Sequence, residues 1–168
     1  MSRNNLGMIA HLKRDYGAAR SHLEEALRIE LEVVDSWMVA MARHNLANTT
    51  RELGDLAAAC RNYSEALATF GLTGDKWAEC ILFEDLAMTL AGDDPRAALQ
   101  LVGAAEAIRE AIGSPRVAAV QAELDERLGS AREALGDQAP VEHATGKELG
   151  ADASFQLALR LCRARIGP

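Results

Sequence analysis

The sequence predicts an all-α protein: a right-handed superhelical stack (α-solenoid) of antiparallel helical hairpins, closed by a C-terminal helical segment. Three observations carry that expectation. Apolar residues make up 49% of the 168 positions and aromatics only 4%, with 4 prolines in all. A chain dominated by alanine and leucine suits helix–helix interfaces better than the aromatic and β-branched interior of a sandwich. The stretch Asp75–Gly92, DKWAECILFEDLAMTLAG, repeats one forty residues earlier, with Asp75 over Asp35, Trp77 over Trp37, Leu86 over Leu46 and Ala87 over Ala47. Glycine–aspartate punctuation divides the apolar-periodic segments with short connections, so neighbours pack antiparallel and nothing reads as a strand.

Taken in order, residues 2–13 form a short segment with Leu6, Ile9, Ala10 and Leu12 at helical spacing. Tyr16 opens a second helix whose face carries Ala19, Leu23, Ala26, Leu27 and Leu31. Asp35 caps a third helix reaching about Leu53, where Gly54 supplies a left-handed residue and Asp55 caps the next. That fourth helix holds Leu56, Ala59, Tyr63, Ala66 and Leu67 and is expected to stop at the Gly71–Gly74 turn. Asp75 caps the fifth. Asp94 with Pro95 at the first helical position starts the sixth, which ends at Gly113. Ser114-Pro115 repeats the signal and predicts a helix to about Leu135. A shorter helix to about Leu149 follows Gly136-Asp137, and a last one runs from Ala153 to about Arg165. The organisation expected is three hairpins over residues 1–113 and a helical capping segment over 114–168, since an open array end exposes an apolar face.

The hairpins align residue by residue. Leu6-Gly7, Leu46-Ala47 and Leu86-Ala87 share one place in the first helices; Ala19, Ala59 and Ala98 share one in the second, followed by Leu23, Tyr63 and Val102. Small residues there let two helices approach closely. This pattern, with Gly54-Asp55-Leu56 and Arg14-Asp15-Tyr16 at the turns, resembles the tetratricopeptide repeat, stretched from the usual ~34 residues to about forty. The long period, the start Gly74-Asp75-Lys76-Trp77 and the segment Leu101–Gly113 resemble the repeat region of bacterial ATP-binding transcriptional regulators of the MalT and LuxR type. That resemblance implies a sensor or scaffold region whose usual neighbours are nucleotide-binding and DNA-binding domains. Neither a GxxxxGK[ST] loop nor a basic recognition helix is present in this sequence.

A net charge of -7 argues against direct nucleic-acid binding by this segment, which needs a basic surface to release counterions. Arg160, Arg163 and Arg165 read as favourable charge at a helix C-terminus. No apolar run is long enough to span a bilayer, and MSRNNLGMIAHLKRD lacks a secretory core. Cys60, Cys80 and Cys162, odd in number and widely spaced, read as buried thiols of a reducing compartment, so a cytoplasmic location is expected.

Catalytic and cofactor signatures are not found. His11, His22, His44 and His143 lack a second ligand at metal spacing, and there is no GxSxG or HExxH. The reading is a non-enzyme without cofactor. What a curved stack offers is a concave groove lined by the first helix of each repeat. The alignment puts Asn4, His44 and Glu84 at one inward level, Met8, Asn48 and Met88 a turn further on, then His11, Arg51 and Ala91. His44, Asn48 and Arg51 fall at i, i+4 and i+7, on one stripe able to hydrogen-bond an extended peptide or a small anion. Tetratricopeptide proteins that clamp a peptide carboxylate use Lys and Arg in the third repeat; Ile81 and Asp85 stand at the matching places here, which disfavours that mode. Trp37 and Trp77 are expected to wedge hairpins together, and Met8, Met38, Met41 and Met88 to pack at interfaces. The function expected is protein–protein interaction through the groove, within or beside a signal-responsive transcriptional regulator. The alternatives are a small-molecule-sensing groove and a self-associating module that homodimerises through a first helix starting almost at Met1.

Overall fold

The protein is all-helical in a computed structural model describing residues 2–33 and 35–166. In chain order the helices are α1 (Arg3–Leu12), α2 (Tyr16–Val33), α3 (Ser36–Glu52), α4 (Leu56–Thr73), α5 (Lys76–Leu90), α6 (Pro95–Ile112), α7 (Ala118–Arg127), α8 (Gly129–Leu135), α9 (Ala139–Glu148) and α10 (Gly150–Ile166). A single 3-10 turn, Gly136–Gln138, precedes α9. Among the described residues there is no strand, and no helix is long and apolar enough to cross a membrane.

The helix starts follow from the caps. Asp35, Asp75 and Asp94 each accept a hydrogen bond from the backbone N–H three residues on, at 3.0, 3.0 and 3.1 Å. A cap of this kind satisfies a donor the helix leaves orphaned and contributes about 1 kcal/mol. Two turns of the first hairpins show what the backbone demands at one place. Gly54 has φ +80 before Asp55, and Arg14 takes φ 61 before Asp15. Asp15 and Asp55 then cap α2 and α4 alike, at 3.0 and 2.9 Å.

The chain divides into two compact units, Met1–Thr73 with Leu161–Pro168, and Gly74–Arg160. In the first, α1 packs on α2, α2 on α3 and α3 on α4. Its centre is Leu23, Tyr63, Leu67 and Phe70, all fully buried, with Ala19 and Ala59 letting the helices close up. In the second, α5 packs on α6 and α6 on α9, with α7 and α8 covering further faces of α5 and α6. Leu82, Phe83, Leu86, Leu101 and Leu128 form its interior; each such side chain contributes about 2 kcal/mol of transfer free energy. The α6–α9 contact is set by two glycines. A Cβ on Gly103 would lie 2.0 Å from the His143 carbonyl oxygen, and one on Gly146 would lie 2.0 Å from that of Gln100. Backbone meets backbone there, which only glycine permits.

Three expectations change. The helix expected from Ser114-Pro115 starts instead at Ala118, with Val117 as an N-cap that makes no side-chain bond. Proline biases the residue before it towards extended backbone, and the bonds from Arg109 to the Ser114 carbonyl and from Arg116 to Glu84 hold residues 114–117 outside a helix. It also breaks at Leu128, before the weak helix former Gly129, dividing α7 from α8. α4 runs through Gly71 to Thr73, and α10 begins at Gly150, so Asp152 sits inside its first turn rather than ahead of it. Trp37 and Trp77 are 43% and 49% exposed.

Candidate functional site

Six of the eight residues expected to line a groove lie in the first unit, where the polar face of α3 meets α1 and α4. Asn4 is buried, and its Oδ1 accepts from Asn45 Nδ2 at 3.0 Å. The His11 ring nitrogen Nδ1 is 3.1 Å from Thr49 Oγ1, and its ring stands edge-on to Tyr16 with centroids 5.2 Å apart. On α3 itself, Asn48 Nδ2 lies 3.3 Å from His44 Nε2 while Asn48 Oδ1 accepts from the Tyr63 hydroxyl at 2.5 Å. The amide is thus fixed from both ends. Arg51 bonds its neighbour Glu52 at 3.1 Å, with only 9% of its side chain exposed. Met8 is exposed at the rim of a small cavity of about 90 Å³, lined also by His11, Leu12, Leu23, Asn45 and Asn48. Asn48 is thereby brought together with Met8 and His11, with His44 bonded to it from the same helix, while Arg51 is drawn aside into its own ion pair.

Glu84 and Met88 lie in the second unit, on a cavity of about 320 Å³ beside α5, α6 and the 114–117 strap. Glu84 is buried and carries two guanidinium groups. Arg109 grips it with both arms, Nε to Oε1 at 2.6 Å and Nη2 to Oε2 at 2.9 Å, and spends Nη1 on the Ser114 carbonyl at 3.0 Å. Arg116 adds Nε to Oε1 at 2.6 Å. The hydrogen bond to Glu84 raises the Arg109 pKa above its ordinary value against the opposing effect of burial. A bidentate pair of this kind is stable in a poor dielectric only because the charges cancel and the lone pairs are filled. No known protein family, curated protein or solved structure matches the chain.

Arg109 and Arg116 are partners of Glu84 that the sequence reading did not anticipate. They stand 25 and 32 positions from Glu84, on either side of the Gly113 turn. No signal in the sequence pointed to them: the level of Glu84 was expected to line a groove, and only its burial in the fold shows an acid that requires a cation. Nearby, Glu106 is held below the usual carboxylate range, chiefly by the Lys147 ammonium at 2.8 Å, which also reaches Glu110 at 2.8 Å.

Among the described residues no cluster of three or more His, Cys, Asp and Glu is placed to hold a metal ion. The cysteine thiols are all buried. Burial pushes the Cys80 thiol up to about 11, and a hydrogen bond to Cys60 together with burial pushes Cys162 up further. Thiols in that condition hold almost no thiolate at neutral pH and are poor nucleophiles.

Proposed function

We propose that the chain is a non-catalytic protein–protein interaction module of tetratricopeptide-like hairpins with a period of about forty residues, wound as a right-handed solenoid. Its place is the scaffold or sensor region of a bacterial signal-responsive transcriptional regulator, or a cytoplasmic partner to one. The observation that carries this reading is the α3 face, where Asn48 is locked between His44 and the Tyr63 hydroxyl beside the exposed Met8. Polar groups fixed in advance on a rigid helix lose little freedom when they bind, and an exposed thioether adapts to the shape of a partner's apolar side chain. The spacing of that face along a helix suits an extended peptide laid across it.

The test is affinity capture from cells that express the full chain. Wild-type protein should retain a partner, and Met8→Glu combined with His44→Ala should weaken its capture at least about tenfold, because both side chains lie in the contact. Circular dichroism should show the variant folded, since neither residue is fully buried. Undiminished capture by the folded variant would remove this face from the mechanism. A small-molecule-sensing reading is favoured by one separate observation, the cavity beside Glu84.

A further inference from the structure

Arg116 is in excess of what the Glu84 carboxylate needs to have its charge matched. Arg109 alone binds both oxygens of Glu84 and has its remaining nitrogen on Ser114. Arg116 shares an oxygen that is already occupied, and its side chain is only 9% exposed. Its Nη1 has a long contact to Gln121 Oε1 at 3.4 Å and stands 4.0 Å from Glu106 Oε2. That same Glu106 oxygen is 3.2 Å from His143, and Lys147 holds its mate at 2.8 Å. Arg116 Nη2 is covered from bulk water and makes no hydrogen bond, alone among the buried side-chain nitrogens and oxygens of the described residues. A buried donor on a charged group without an acceptor is costly, and proteins rarely keep one without a use.

The charges around it decide the sign of what it would take. Of the ionisable side chains that line this cavity, those at least nine-tenths buried are Glu84, Arg109 and Arg116, one negative and two positive. Asp85 and Glu123 also line it, but Glu123 is half-exposed, and solvent screens an exposed carboxylate far more than a buried guanidinium. The rest of the wall is apolar, with Trp77, Ile81, Met88, Val120 and Leu124. The volume, about 320 Å³, equals that of roughly ten liquid waters and lies at the small end of organic-ligand pockets.

We propose that this cavity binds a small monocarboxylic acid with an apolar body, anchored by the outer edge of the Arg116 guanidinium. As it leaves the long Gln121 contact the Arg116 guanidinium turns out from under its cover, so that Nη1 and Nη2 reach the carboxylate as a fork while Nε stays on Glu84. The apolar body lies against Trp77, Met88 and Leu124. One carboxylate cancels the single excess positive charge of Glu84, Arg109 and Arg116, so phosphates and nucleotides, which bring further negative charge, are excluded. The site belongs to the second unit alone and does not depend on the α3 face, so either reading can fail without the other.

The experiment uses the full chain, with melting temperature and calorimetric titration as readouts. The probes are phenylacetate, 4-methylpentanoate and octanoate at millimolar concentration, phenylacetamide as the uncharged isostere, inorganic phosphate and ATP. At least one acid should raise the melting temperature with concentration, as a ligand specific to the folded state does. The amide should bind at least about tenfold more weakly, and phosphate and ATP should give no shift. Arg116→Gln keeps the Glu84–Arg109 pair and should abolish the acid's shift. Should that variant melt far below the wild type, Val120→Asp tests the same point at a position 40% exposed, by adding a negative charge to the wall. A hexapeptide ending in leucine, compared with its C-terminal amide, separates a peptide terminus from a free acid as the source. No shift by any acid or by the free-terminus peptide, equal binding of acid and amide, binding of phosphate or ATP, or unchanged binding by folded Arg116→Gln would each overturn the proposal.

Discussion

His44 and Glu84 stand at matching positions of two hairpins, as do Asn48 and Met88, and Tyr63 and Val102. In the first unit these places form a neutral web, in which the Asn48 amide meets His44 at 3.3 Å and the Tyr63 hydroxyl at 2.5 Å. In the second unit both members of the amide–hydroxyl pair become apolar, and polarity concentrates instead on Glu84, matched by Arg109 and Arg116. The two hairpins therefore differ by a coordinated exchange of partners and not by independent substitutions. A polar group enters a helix interface together with the group that satisfies it, because leaving either one alone costs more than the pair returns. A place in the repeat specifies backbone and size; its chemistry is set by the facing helix.

The sharpest way to break this comparison is Glu84→Gln. Two buried guanidinium groups then lose their counter-charge, and urea unfolding should show a loss of about 3–5 kcal/mol. His44→Gln at the matching place should change stability by less than about 0.5 kcal/mol, since that side chain is partly exposed and uncharged bonding replaces it. Equal losses at the two sites would show that charge is not what distinguishes the units.

Close packing separates them next. Gly103→Ala drives a methyl into the His143 carbonyl of α9, where backbone must move, and should cost about 3 kcal/mol. Gly7→Ala meets mainly the Leu23 side chain, with carbons at 2.5 and 2.7 Å, and should cost about 1 kcal/mol because that side chain can turn. Thermal melts of the two variants give the order directly. A smaller effect follows in the neutral web: Tyr63→Phe removes the hydroxyl donated to Asn48 and should cost about 1 kcal/mol.

The smallest effect is a dependence on pH carried by Glu106 in the second unit. Glu106 is held below the ordinary carboxylate range by Lys147. A folded pKa below the unfolded one adds stability at neutral pH that is lost as pH falls from about 4.3 through the folded value. Unfolding curves across that range should show the wild type losing slightly more stability than Glu106→Gln.

Much of the frame was legible in the sequence because it rests on local chemistry. Asp35, Asp75 and Asp94 announce their helices through a bond only three residues long, and Gly54, Gly74 and Gly113 mark left-handed turns that favour glycine. The Arg14 turn was found only by alignment with Gly54. The rest depends on distant partners. Nothing near Glu84 announces Arg109 or Arg116, and nothing in α6 shows that Gly103 faces Gly146 across a helix crossing. The strap at 114–117 misled for a related reason: its Ser-Pro start carries a helix signal, while bonds to side chains elsewhere hold it extended.

The central claim is that the α3 face is where a partner docks. Hydrogen exchange of the full chain, alone and with the partner captured as above, tests it most directly. Protection of amides in α3 (Ser36–Glu52) and the facing residues of α1 on complex formation is the predicted result. Protection confined to other helices, with α3 exchanging as in the free chain, would contradict it.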